Sequence, residues 1–211
     1  MILLHQRGRT YQGTQLLLIA RESINLPKHM KKQNLSMTEL KHQSTQYVRN
    51  CLVQALIGLL SEKPLSNITV TELTSAACVS RMSYYRNYKS MDEILQSYLD
   101  DIIVSYRQDV LSWPDRGNYN DYQNMLHCYE YFHKHADFVR GLLKCGMGDA
   151  LLKALTDYML DTYYQEEKGI AHYYTLLAFA GSLYNIYISW IKNDTKESAQ
   201  EMASMICALY R

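Results

Sequence analysis

The sequence predicts an all-α protein, and three observations carry that expectation. Its 211 residues include only three prolines and nine glycines, so few positions interrupt a helix. From residue 38 almost to the end, apolar side chains recur at spacings of three and four. No segment alternates long enough to make a strand.

Each element can be justified in order. Val48, Leu52, Ala55, Leu56 and Leu59 form one apolar stripe on a first helix, and Pro64 ends it. Thr69-Val70-Thr71-Glu72 reads as a capping box that opens a very short second helix, with Leu73, Ala76 and Ala77 inside. Such a cap contributes about 0.5–2 kcal/mol. Cys78-Val79 leaves room only for a tight turn before Ser80 caps a third short helix reaching Tyr88. Ser90-Met91-Asp92-Glu93 is a second box. A long fourth helix follows it, with Ile94, Leu95, Tyr98, Leu99, Ile102, Ile103, Tyr106 and Val110 on its apolar face. Trp113-Pro114-Asp115-Arg116-Gly117 breaks the chain. Further helices are expected near 120–135, 138–145, 149–166, 170–193 and 195–210, the last opened by the box-like Asp194-Thr195-Lys196-Glu197. The expected architecture is an N-terminal three-helix head over 37–90 and a C-terminal antiparallel helical bundle over 91–211. Residues 1–36 read as a basic arm, or as an extension ahead of a start at Met30 or Met37.

Hydrophobic residues at 47% and charged residues at 20% exclude a disordered chain. The net charge of +1 hides a gradient. Residues 1–36 hold Arg7, Arg9, Arg21, Lys28, Lys31 and Lys32 against Glu22 alone, a net +5. Residues 37–100 balance at zero, and residues 101–211 carry −4. The longest early apolar run, Leu16 to Ala20, falls far short of the roughly 20 residues of a membrane span. It is also shorter than the roughly 7–15 residues of a signal-peptide core, so a cytoplasmic protein is expected, with no membrane contact. Five widely spaced cysteines (Cys51, Cys78, Cys128, Cys145, Cys207) without a Cys-x-x-Cys pair do not make a disulfide framework. Nineteen tyrosines against three phenylalanines favour half-wet surfaces such as pockets and interfaces.

The informative window is a capped short helix, a tight turn, a second capped short helix and a capped long one. Two short helices around a tight turn make a helix-turn-helix, whose second helix enters the DNA major groove. Arg81 can donate two hydrogen bonds to guanine, and Met82 can touch a thymine methyl. Ser83 is a permissive reader. Tyr85 and Lys89 can hold phosphates, which position a protein without specifying sequence.

The run from Ile68 to Leu95, ITVTELTSAACVSRMSYYRNYKSMDEIL, resembles the signature of tetracycline-repressor-type (TetR) regulators. The likeness is motif-strong over residues 40–100 and looser beyond. It implies that Leu73, Ala76, Val79, Tyr84, Tyr88, Ile94 and Leu95 form the small head core. It also implies that Thr71, Arg81, Met82, Ser83 and Tyr85 face the groove, with Tyr47 near a phosphate; Arg86 is a further contact candidate. Three positions depart from the pattern. Met91 stands where a lysine is usual, Cys78 where a glycine is usual, and the customary aromatic pair is Tyr84 and Tyr88. If Cys78 needs a positive φ, a non-glycine there costs on the order of 1–2 kcal/mol.

The resemblance further implies a homodimer formed by the last two helices, a double-stranded palindromic operator, and an unknown small-molecule effector. Ala178, Gly181, Ser182, Asn185, Ile188, Met202 and Ile206 are the expected interface. Tyr122, Met125, Tyr129, Phe132, Tyr158, Met159, Tyr163 and Tyr174 read first as core and otherwise as the lining of an effector pocket. His133 and Asp137 have ligand-type spacing, yet no third ligand lies near in sequence, so no metal or other cofactor is expected. No nucleophile elbow or phosphate-binding glycine loop occurs, so no enzyme is expected. The expected function is a DNA-binding regulator, in the family's commoner role a repressor, under ligand control. Two alternatives remain: a protein of this fold acting through a protein partner, including a co-activator-dependent activator, and a ligand-binding bundle without DNA binding.

Overall fold

The structure, a computed structural model, describes residues 37–113 and 117–210, with side chains from Ser44 onward. Residues 1–36, and the basic arm expected there, lie outside it. By contact, His42–Arg211 form one compact unit. Among the described residues there are nine α-helices and no strand. They are α1 (Met37–Glu62), α2 (Val70–Ala76), α3 (Arg81–Asn87), α4 (Met91–Leu111) and α5 (Tyr122–His133). Then come α6 (Ala136–Lys144), α7 (Gly148–Tyr163), α8 (Gly169–Lys192) and α9 (Ala199–Leu209).

The head is built on local signals. α1 ends ahead of Pro64, and a 3-10 turn at Leu65–Asn67 leads to α2. The Thr69, Ser80 and Ser90 hydroxyls accept the backbone N–H of Glu72, Ser83 and Glu93, so all three expected caps form. The first box closes on one side only. The Glu72 carboxylate reaches Lys63 instead of the cap backbone, with Nζ–O distances of 2.5 and 2.6 Å. At α4, Glu93 takes the backbone N–H of Lys89 at 2.6 Å.

Between α2 and α3, Val79 N–H donates to the Thr74 carbonyl at 3.0 Å and Cys78 N–H to that of Ser75 at 3.2 Å. This is a Schellman closure, which needs a left-handed residue after the cap. Cys78 is that residue, with φ of +53°. Replacing Cys78 by glycine is therefore expected to stabilise the chain by about 1 kcal/mol, read as a raised melting temperature. A lowered one would mean the thiol's packing outweighs the backbone strain.

Leu52, Leu56, Leu60, Leu73, Tyr84, Tyr88, Ile94 and Leu95 are all buried in the head. α4 belongs to both ends: Ile94 and Leu95 enter the head core, while Ile102, Tyr106 and Val110 are buried further along. Within the bundle α7 packs along α8, α4 against α7, and α9 along α5. α6 joins bundle to head. Lys144 Nζ donates to the Leu60 carbonyl at 3.3 Å, and Tyr98 on α4 meets the Phe138 ring edge-on at 4.8 Å. A side chain at Gly141 would press on Leu60 at 3.3 Å, so glycine allows this close approach.

The last helix starts later than its expected box at Asp194. Asp194 and Thr195 instead turn the chain, with φ of +57° and +50°. The Trp190 indole N–H closes the loop on the Glu197 carbonyl at 2.9 Å. The full capping box is Ser198 with Glu201.

Candidate nucleic-acid interface and effector cavity

α3 has two unlike faces. Tyr84 points inward and is buried, and Tyr88 follows it into the core, its hydroxyl hydrogen-bonded to Ser97 and Arg49 lying 5.4 Å from its ring. Burial pushes both phenols up from their usual range. The other face is open. Arg81 and Arg86 are exposed, Met82 is 68% exposed and Tyr85 57%. The Tyr85 ring rests edge-on against Tyr84 at 5.1 Å, which sets its direction. Thr71, Lys89 and Tyr47 are also exposed. Ser83 differs from expectation: it is half-buried, and its hydroxyl is engaged with that of Ser80 at 2.9 Å. Its backbone N–H donates to the Ser80 hydroxyl at 3.0 Å. Met91 packs against the core, as an unbranched apolar side chain does, and Asp92 and Glu93 occupy the first turn of α4.

The Lys63–Glu72 pair ties the end of α1 to α2 and holds the Glu72 carboxyl below the usual carboxylate range, chiefly through the hydrogen bond from Lys63. A folded pKa below the unfolded one gives stability that is present at neutral pH and lost as pH falls through the folded value. The Lys63→Met variant is expected to melt below the parent at pH 7, with the gap closing in acid. A gap independent of pH would assign the effect to packing.

Within the bundle, a narrow cavity with an open mouth lies among α4, α5, α7 and α8. Met125, Tyr158 and Met159 line it as expected from sequence, with Phe132 and Tyr163. Sequence reading missed Ile103, Tyr106, Tyr119, Asn124, Leu155 and Phe179. Nothing in their periodicity separates a lining residue from a core one. A second, smaller cavity shares Cys128, Phe132, Leu155 and Leu183 with the first, and Tyr129 lines it. Two expected lining residues fall elsewhere: Tyr122 is 39% exposed, Tyr174 61%, and neither lines either of these two cavities. Tyr122 is the first residue of α5 and Tyr174 lies on the outer face of α8, so helix phase sends both to solvent. Burial pushes the Cys128 thiol up to about 12, so it is an inert, protonated wall group.

The expected interface residues also divide. Ala178 and Asn185 are exposed and Gly181 and Ser182 half-exposed, on the outer side of α8. Ile188, Met202 and Ile206 are buried within the chain itself. The last two lie on the helix that packs along α5, so they hold α9 to its own bundle and are not free for a second copy.

His133 and Asp137 do not pair. His133 Nε2 meets the Thr195 hydroxyl at 3.3 Å, and Asp137 takes Arg140 at 2.7 Å. Among the described residues no group of three or more His, Cys, Asp or Glu gathers to hold a metal. No helix among them is long and apolar enough to cross a membrane.

The chain thus combines a helix-turn-helix head with a helical bundle that holds an internal cavity. Residues 119–211 match the TetR_C_8 family, transcriptional regulator C-terminal region. No curated protein matches the chain. Among solved structures, it is similar to the dihydroxyacetone kinase operon activator DhaS, with TM-score 0.57 and 15% identity, over 77% of this chain and 93% of that one. A TetR transcriptional regulator from Streptococcus agalactiae matches with TM-score 0.54 and 16% identity, over 81% and 97%. The fatty acid degradation regulator FadR from Bacillus halodurans matches with TM-score 0.50 and 14% identity, over 77% and 93%. At these identities the structures share the fold alone. The matched C-terminal region is that of a transcriptional regulator, and the fold agrees with it.

Proposed function

We propose that the chain is a sequence-specific DNA-binding repressor that holds a palindromic operator as a homodimer and releases it when a small molecule enters the bundle. One observation carries the reading. α3 is locked from behind by Tyr84 and Tyr88 and presents Arg81, Met82 and Tyr85 outward, the disposition a major-groove helix needs. Residues 37–100 carry no net charge, so base contacts must be few and well placed, and the basic residues 1–36 supply further phosphate contacts.

The outer side of α8, with Ala178, Gly181, Ser182 and Asn185 and the exposed Ile170 and Tyr174 beside them, is the surface for the second copy. Two heads then meet half-sites about 34–36 Å apart, or a multiple of that. α4 links the cavity to the head, because Tyr106 lines the one while Ile94 and Leu95 are buried in the other. A ligand acts here only through a difference in affinity between the two head spacings.

A gel-shift titration against the DNA upstream of the chain's own coding sequence tests the reading. A sequence-selective shift that weakens steeply with salt is expected, with a shallower salt slope once residues 1–36 are deleted. Absence of any selective shift, with recovery of a protein partner instead, would favour action through that partner.

A further inference from the structure

We propose that the cavity selects an uncharged, flat aromatic compound carrying one hydrogen-bond acceptor; this rests on the reading of the cavity as the ligand site. Three features point there. The first is charge. No lysine, arginine, histidine, aspartate or glutamate lines either cavity. A charged ligand would leave water without a counter-charge, which is costly in an apolar enclosure. A cation that borders the lining is already in use: the Arg107 guanidinium sits 5.5 Å from the Tyr158 ring and pairs with Asp161 at 3.1 Å. An organic cation would compete with it for that ring, and an anion would find Arg107 already paired.

The second feature is shape. Tyr106 meets Phe132 at 5.1 Å and Tyr158 at 5.3 Å, and Tyr119 meets Phe179 at 4.7 Å, all tilted or edge-on. Rings so arranged offer faces and edges to a flat guest, and Met125 and Met159 add polarisable sulfur that adapts to an aromatic surface. An aliphatic chain gains only area from such walls.

The third feature is a buried polar atom. Tyr129 lines the second cavity, is 1% exposed, and its hydroxyl has no hydrogen-bond partner among the described residues. A buried donor left unmade is destabilising, and an acceptor on the guest relieves it.

Calorimetric titration of the full chain tests this with four probes: 2-naphthol, 2-naphthoate, 2-naphthylmethylammonium and 1-octanol. The neutral aromatic 2-naphthol is expected to bind at least tenfold tighter than each of the other three. Leu155→Trp, which fills the space shared by both cavities, should abolish that binding. Because that variant can fail to fold, Tyr129→Phe is the second arm. It should keep or raise its melting temperature, because it removes an unmade donor, and weaken 2-naphthol about three- to tenfold. Equal or tighter binding of the anion, the cation or the alcohol overturns the proposal, as does no binding of any probe. An unchanged affinity in Tyr129→Phe overturns the acceptor requirement. Operator binding is measured separately. Binding of 2-naphthol without operator release supports the ligand class and overturns only its regulatory use.

Discussion

Replacing Arg81 by alanine is expected to lower operator affinity about ten- to hundredfold, while leaving the melting temperature and helix content unchanged. A bidentate arginine–guanine pair is worth about 1–3 kcal/mol of discrimination, and each 1.4 kcal/mol is about tenfold. The fold should not feel the change, because Arg81 is the exposed first residue of α3 and makes no ion pair among the described residues. Affinity for unrelated DNA should fall far less, since the residue reads a base edge rather than supplying bulk charge. Filter binding or fluorescence anisotropy with operator and scrambled duplexes separates the two effects. An equal loss on both duplexes would place Arg81 on a phosphate. No loss on either would remove α3 from the groove.

The Ile206→Ala change is expected to cost about 2–5 kcal/mol, lowering the melting temperature by roughly 4–20 °C for a domain of this size. Ile206 is 0% exposed on α9, so truncation opens a cavity against α5. The sequence places the same residue at a dimer interface, which makes the opposite prediction: an unchanged monomer and weaker dimerisation. Ala178→Glu is the complementary variant. It puts a charge on the exposed side of α8, and should shift the dimer–monomer equilibrium with little loss of helix content. Thermal melts and analytical ultracentrifugation of both variants decide. Ile206→Ala giving a stable monomer would restore the sequence reading of α9.

The head was legible because its signals are local. A serine or threonine three residues before an amide can cap that amide without help from elsewhere, and Thr69, Ser80 and Ser90 all do so. The positive φ of Cys78 also follows from a local motif, a turn too short to close otherwise. Even here the long-range partner was invisible. Glu72 leaves its expected box for Lys63, nine residues away, because only the folded end of α1 brings that ammonium within reach.

The bundle was legible in its helices and not in their facing. α8 is apolar nearly all round, so spacing alone does not say which stripe turns inward. Packing chose Leu176, Phe179, Ala180, Leu183 and Tyr187 for the core and left Tyr174, Ala178 and Asn185 outside. The same choice moved Met202 and Ile206 from the expected interface into the chain's own core, and Tyr122 and Tyr174 from the expected cavity to solvent. What the sequence alone determined is the helical class, the order of the head helices, their caps, and the outward stripe of α3. Each depends on interactions within about one helical turn. The cavity, its uncharged lining and the free side of α8 were decided only by tertiary structure, because each is made by side chains from separate helices, and their meeting depends on which helices become neighbours.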